Sequence, residues 1–305
     1  MLSRDVQRYV TLRRTLGHKF GDQARSLELF ANYATAHGDQ FGRVERVLEW
    51  AKAQTPSALR RYTLVGRVRR FALAMHAENP RYEIPPKDCM GRANRVRKPP
   101  HIYTGGEIES MMRAARQMPP ERVVAPSTIT TLLGLLASTG LRISEALALQ
   151  CSDLTDDGLL IRKSKNNKTR LIPLHDTTRA ALETYLKERA RRPVYTQAVF
   201  VSSCGQALPY HSARGTFLRV LARARLRPMS ARTGPRMHDL RHTFAVRSLA
   251  QCQNNRKAVG QHIVALSTYL GHPTLSETYW YLEATPMIMS GIAKAGESMH
   301  RGGNA

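Results

Sequence analysis

Five prolines, Pro80, Pro85, Pro86, Pro99 and Pro100, interrupt this 305-residue chain within one stretch. Proline lacks the amide hydrogen that a helix or an inner strand needs, and it pushes the residue before it out of helical geometry. No continuous element can run from Asn79 to His101, so the chain must fold as two parts around a break. Arg92, Arg95, Arg97 and Lys98 lie in the same stretch, which predicts an extended, basic linker. The expected division is a helical domain over 1–85, a linker over 86–101, a second domain over 102–289 and a glycine-bearing tail over 290–305.

Before the break the signals are helical. Leu27, Phe30, Ala31 and Ala34 follow the spacing of one helical face, as do Val44, Val47, Leu48 and Ala51. Thr55-Pro56 reads as a cap followed by proline at the first helical position, opening a helix that continues through Leu64, Val68, Phe71 and Met75. Arg60, Arg61, Arg67, Arg69 and Arg70 fall mostly on its other faces. After the break, Thr104-Gly-Gly-Glu107 reads as a capping box, Thr128 to Ser138 as an apolar helix, and Thr178 to Arg191 as another. Between them, Gly158–Arg162 and Arg170–Leu174 flank a polar turn and predict a hairpin. The expected fold class is mostly α with a small β-hairpin or sheet in the second domain.

Charge narrows the partner. Lys and Arg number 47 against 23 Asp and Glu, a net +24. Such self-repulsion points to a polyanion, nucleic acid first, with membrane surfaces and acidic proteins as rivals. The excess is shared: 20 basic against 9 acidic residues in 1–98, and 27 against 14 in 99–305. Both halves are expected to meet the same anion. Cys89, Cys151, Cys204 and Cys252 form no C-x-x-C pair, which argues against a zinc ribbon and a redox motif and fits thiols in a reducing compartment. The first residues lack the apolar stretch of a secretory signal, and the longest apolar run, Ile129 to Leu141, is too short and too rich in Ser and Thr to span a bilayer. A cytoplasmic protein with no membrane partner is expected.

Four clusters in the second half carry chemistry: Thr139-Gly-Leu-Arg142-Ile-Ser-Glu145; Lys163-Ser-Lys165-Asn-Asn-Lys168-Thr-Arg170; His238-Asp-Leu-Arg241-His242; and Leu270-Gly-His272 followed nine residues later by Tyr281. Arginine keeps its proton and offers a planar fork to two phosphate oxygens. Lysine or histidine can hand a proton to a leaving alkoxide, and tyrosine near cations can form a covalent phosphoryl intermediate. Each cluster alone has a plainer reading, as a surface arginine, a solvated stripe, a helix stop or core aromatics. His238 and His242, four residues apart, have the spacing of metal ligands, but no H-E-x-x-H accompanies them and Arg241 opposes a cation, so no metal is expected.

In this order and spacing the clusters resemble the catalytic domain of the tyrosine recombinases, the phage-integrase and Xer-type family, over roughly residues 99 to 285. Gly-Leu-Arg142-Ile-Ser-Glu145 is similar to that family's first arginine box and His238-Asp-Leu-Arg241-His-Thr-Phe-Ala to its second. Tyr269-Leu-Gly-His272 with Thr278-Tyr-Trp-Tyr281 is similar to its terminal box, and the ending through Pro286 resembles the subgroup carried by transposons and other mobile elements. The helical first domain resembles the family's core-binding domain.

The resemblance implies a site-specific DNA strand transferase that needs no cofactor. Arg142 and Arg241 would clamp the scissile phosphate, His238 would bond it and help manage the tyrosine proton, and Lys165 would protonate the departing 5′ oxygen. Lys163 and Lys168 stand as substitutes for Lys165. His272 would support the transition state, Tyr281 would attack to leave a 3′-phosphotyrosine, and Glu145 would orient its neighbours. Two residues along a helix turn a side chain by about 200°, so Tyr279 and Tyr281 cannot share a face, and Tyr281 keeps the family's T-x-x-Y spacing. Expected DNA contacts are Arg60, Arg61, Arg67, Arg70, Arg95, Arg97, Lys98, Lys168 and Arg170. The implied partners are duplex DNA bearing a recombination site, three further copies in a tetramer, and other recombinases of the same element. The interval from Arg241 to His272 is long, with Gln251 to Arg256 as the expected insertion. A type IB topoisomerase, a non-catalytic architectural DNA binder and a metal-dependent nuclease are the competing classes.

Overall fold

The structure, a computed structural model, describes residues 1–91, 99–119, 124–162, 169–231, 233–251, 256–272, 274–276 and 278, with backbone alone for 256–259. It divides into two compact units, Met1–Lys98 and Pro99–Ala305.

Among its described residues the first unit has four helices: α1 (Leu2–Thr15), α2 (Gly21–Ala36), α3 (Val44–Gln54) and α4 (Ala58–His76). Leu27, Phe30, Ala31 and Ala34 are all buried on α2, as their spacing predicts. On α3 the buried face is Val47, Trp50 and Ala51, whereas Val44 and Leu48 are half-exposed. The large indole of Trp50, packed edge-on against Phe30 at 5.5 Å, pulls the helix round to bury itself; such aromatic pairs contribute about 0.5–1.5 kcal/mol beyond their area. The start of α4 also differs from the sequence reading. Thr55 is the C-cap of α3, and the N-cap of α4 is Ser57, whose hydroxyl accepts from the Arg60 amide at 3.4 Å. A proline at position 56 suited the loop between them, and the serine one step on was the better cap.

The stretch after α4 is more than a linker. Tyr82 is buried, packs edge-on against Phe41 and Phe71, and donates its hydroxyl to Asp5 Oδ2 at 2.5 Å. Burial and that carboxylate push the Tyr82 phenol up, keeping it a donor. Its carbonyl meets His76 Nδ1 at 2.7 Å, and the Glu83 amide donates to Gly42 O at 2.9 Å.

The second unit contains α5 (Gly105–Arg116), α6 (Pro126–Thr139), α7 (Ile143–Ala148), strands β1 (Leu154–Thr155), β2 (Gly158–Ile161) and β3 (Arg170–Ile172), then α8 (Asp176–Ala190), α9 (Tyr210–Arg223), α10 (Asp239–Ala250) and α11 (Arg256–Leu270). The capping box forms as read, with Glu107 N to Thr104 Oγ1 at 3.2 Å and Thr104 N to Glu107 Oε2 at 2.7 Å. The hairpin strands pair antiparallel in the register Leu159 to Ile172 and Ile161 to Arg170, with β1 on the outer side of β2. Leu159, Ile161 and Ile172 face a core built on Ile129, Leu132, Leu136, Phe200 and Phe217. A second cluster, Ala245, Val246, Leu249, Ile263, Leu266 and Leu270, joins α10 to α11. The described residues are mostly helical with one small sheet, and no described helix is long and apolar enough to cross a membrane. Most of the expected insertion before α11 lies outside the described residues.

Candidate active site

Helix α6 stops at Gly140, whose φ of +61° is a left-handed turn that glycine adopts without strain. A Cβ there would stand 2.6 Å from a Phe244 ring carbon, so the position excludes other residues by space as well. This stop presents the Gly140 carbonyl and, two residues on, Arg142 at the N-cap of α7.

The last carbonyls of a helix have no partner within it and carry the negative end of its dipole. At the end of α11 they collect arginines from three distant stretches. Arg170 Nε donates to Tyr269 O at 2.8 Å. Arg142 Nη1 and Arg241 Nη2 both donate to Leu270 O, at 3.3 and 2.6 Å, and Arg142 Nη2 donates to Gly271 O at 3.1 Å. Arg241 is buried and also donates to Gly140 O at 2.9 Å. Gly271, at φ +66°, leaves room for this packing; a Cβ would lie 2.8 Å from Arg170 Nη1.

Glu145 sits beneath two of these arginines. Its Oε1 accepts from Arg142 Nη1 at 3.0 Å and Arg170 Nη1 at 3.1 Å; its Oε2 accepts from the Arg142 amide at 3.0 Å and Arg170 Nη2 at 2.9 Å. Burial alone would raise this carboxyl, but the bonds and charge of Arg170, with smaller help from Arg142, hold it below its ordinary range.

His238 stands at the N-cap of α10, one turn before Arg241. Asp239 fixes this helix start: its Oδ2 accepts from the Arg236 amide at 2.8 Å and its Oδ1 from Arg236 Nη2 at 2.8 Å. The rings of His238 and His242 meet edge-on at 4.7 Å. Burial first, then the Arg241 charge, pushes His238 down to about 4. His272 meets Thr278 Oγ1 through Nδ1 at 2.7 Å, and burial followed by the charges of Arg241, Arg142 and Arg170 takes it down to about 3. The structure thus brings Arg142, Arg241, His238 and His272 into one electrostatic neighbourhood, two fixed cations beside two neutral imidazoles. A guanidinium can hold an anionic phosphate, and a neutral imidazole can accept a proton or donate a hydrogen bond. Among the described residues no three His, Cys, Asp or Glu side chains converge as a metal site would require.

Tyr281, Tyr279, Lys163, Lys165, Lys168, Arg95, Arg97 and Lys98 lie outside the described residues. Arg60 and Arg70 are exposed on α4, and Arg61 and Arg67 half-exposed. Arg60 and Arg67 line a groove of about 630 Å³ between α2, α3 and α4, where Arg67 Nη1 is tied to Ser26 Oγ at 2.6 Å and Asp22 O at 3.1 Å. Arg170, expected on DNA, instead has all three guanidinium nitrogens in bonds to Glu145 and Tyr269. In sequence it looks like one more cation of the hairpin, because its partners lie 25 and 99 residues away. The contact of Thr278 with His272 likewise has no signal in the sequence beyond the T-x-x-Y spacing.

The profile of the phage integrase family matches residues 103–287, a span that holds Arg142, His238, Arg241, His272 and Tyr281 in order. The chain belongs to the phage integrase family. This places it among the tyrosine recombinases. The family member is 34% identical to y4rB of Sinorhizobium fredii, whose name calls it an integrase/recombinase, over 93% of each chain. It is 29% identical to tyrosine recombinase XerD of Listeria innocua over 63% of this chain and 65% of that one. In fold, this integrase-family chain is similar to the Tn1549 transposon integrase solved with transposon right end DNA, at a TM-score of 0.66 and 17% identity over 97% of this chain and 98% of that one. It is also similar to XerH recombinase bound to difH, at 0.65 and 20% identity over 90% and 79%.

Proposed function

We propose that this chain is a site-specific DNA recombinase that breaks and rejoins strands through a 3′-phosphotyrosine on Tyr281. The observation that carries the reading is the convergence of Arg142, Arg241, His238 and His272 around the end of α11, from stretches that are far apart in sequence.

Arg142 and Arg241 bind the nonbridging oxygens of the scissile phosphate and stabilise the charge that builds in the transition state. The Tyr281 oxygen attacks phosphorus while His238, neutral and therefore able to accept, takes the phenolic proton. The bond to the 5′ oxygen breaks as Lys165 protonates it, and His272 donates a hydrogen bond to the phosphoryl group. A second 5′ hydroxyl reverses these steps and reseals the strand. The phosphotyrosine keeps the energy of the broken phosphodiester, so the cycle calls for no nucleotide.

The substrate is duplex DNA carrying a recombination site, bound in the cytoplasm at the nucleoid by a tetramer of this chain, with other recombinases of the same mobile element as further partners. Residues 1–85 act as the core-binding domain, with Arg60, Arg61, Arg67 and Arg70 on the backbone phosphates. Residues 86–101 supply Arg95, Arg97 and Lys98 as a basic linker, 102–289 the catalytic domain, and Lys168 a further contact.

The test is a nicked suicide duplex bearing the element's terminus, incubated with the protein and run on a denaturing gel. A shifted protein–DNA band that maps to Tyr281, and that disappears in Tyr281→Phe with DNA affinity unchanged, is expected. An undiminished adduct in that variant removes the assignment. Relaxation of supercoiled circles without exchange of strands would point to a topoisomerase instead.

A further inference from the structure

Beside Arg142 and Arg241 stands a third, nearly buried cation to which no step of the proposed cycle gives a role. Arg170 opens β3, five residues after Lys165 in the sequence, and is nearly buried, with 12% of its side chain exposed. Its fork closes on both oxygens of Glu145, and its Nε on the Tyr269 carbonyl. Glu145 is thereby shared. Each of its oxygens accepts one donor from Arg142 and one from Arg170.

The charge count of this trio matters. Arg142 and Glu145 alone make a neutral pair, in which the carboxylate would hold the guanidinium for itself and leave little net charge for a phosphate. A second guanidinium bonded to Glu145 restores a net +1 and divides the carboxylate's pull between two arginines. In a partly buried setting, where charges are poorly screened, this division governs how much of the Arg142 charge is left for a phosphate. Gly271 keeps the space open for the arrangement.

Resting on the recombinase reading, we infer that Arg170 is a positioning residue for strand cleavage: it neutralises Glu145 and so commits Arg142 to the scissile phosphate. It touches no DNA in this role.

The experiment compares wild type, Arg170→Gln and Arg170→Lys as full chains. Single-turnover cleavage is measured at saturating duplex, DNA affinity separately, and folding by thermal melting. Arg170→Gln, which removes the charge, is expected to cleave about ten- to a hundredfold more slowly with affinity unchanged, the scale at which outer-shell partners act. Arg170→Lys, which keeps the charge and loses the fork, falls less. The deciding readout repeats the assay with each diastereomer of a methylphosphonate at the scissile position. One nonbridging oxygen and its charge are then gone, so a defect that acts through Arg142 shrinks, and the ratio of wild-type to variant rate drops towards one for at least one diastereomer. A merely structural defect lowers the active fraction alike on every substrate, and an unchanged ratio for both diastereomers overturns the inference. So does an Arg170→Gln rate equal to wild type. If wild type itself forms no adduct on the ordinary duplex, the recombinase reading fails and this inference falls with it.

Discussion

Arg142 and Arg241 donate to the same atom, the Leu270 carbonyl oxygen, at 3.3 and 2.6 Å. Two like charges are drawn together because a helix end offers them a shared, negatively polarised acceptor. The spacing between the two guanidiniums is therefore set by backbone, which does not change rotamer.

Arg142→Lys keeps the charge and loses the planar fork that reaches Glu145, Leu270 and Gly271 together. Cleavage of the suicide duplex should fall by about a hundredfold or more, with DNA retention on a filter little affected. Near-normal cleavage would argue against a bidentate role.

Gly140→Ala and Gly134→Ala should move stability in opposite directions. At Gly140 the added methyl meets Phe244 at 2.6 Å on a left-handed backbone, costing about 2–4 kcal/mol from conformation and overpacking together. At Gly134, inside α6, it meets only the mobile tip of Met112 at 3.3 Å, and relief of the helical glycine contributes up to about 1 kcal/mol in favour. Urea midpoints of the two variants test the pair, and equal shifts would contradict the packing described.

His238, His242 and His272 are held neutral, with His238 pushed down to about 4 and the other two to about 3. In the unfolded chain they titrate near 6.5. Between these values the unfolded state binds protons that the folded state does not, so stability falls as pH drops below about 6.5 and is flat with respect to these groups above it. Each histidine contributes a slope of at most about 1.4 kcal/mol per pH unit. Glu145, whose carboxyl is lowered, loses its contribution only at more acid pH, so urea midpoints at pH 7, 6 and 5 isolate the histidines. A midpoint constant over that range would show that they titrate normally.

Thr278→Val removes the hydroxyl that meets His272 Nδ1 at 2.7 Å while keeping the side chain's shape in a fully buried position. With the imidazole no longer held in one orientation, cleavage should slow about tenfold, and Thr278→Ser should recover most of it. Equal loss in Val and Ser would mean that the methyl, and not the hydroxyl, is what matters.

Local signals were legible where local chemistry decided the outcome. The Thr104 to Glu107 box is complete within four residues, and the β2–β3 pairing follows from apolar runs on either side of a polar turn. Arg142, His238, Arg241 and His272, four of the six catalytic candidates, are recognisable by type and order, yet nothing in their separate stretches shows that the end of α11 is where they meet. Arg170 illustrates the limit. Its residue type and neighbours suggest a DNA contact, and only the folded chain reveals a carboxylate 25 positions upstream and a carbonyl 99 positions downstream. Tyr82 was hidden for a related reason, since prolines on both sides mark irregular backbone and carry no information about what an irregular segment packs against.

The bond from Tyr82 to Asp5 spans 77 residues of sequence and ties the first turn of α1 to the segment beyond α4. A change at Asp5 is thus felt beyond the fourth helix: without that carboxylate the Tyr82 hydroxyl loses its acceptor at the place where the chain leaves α4.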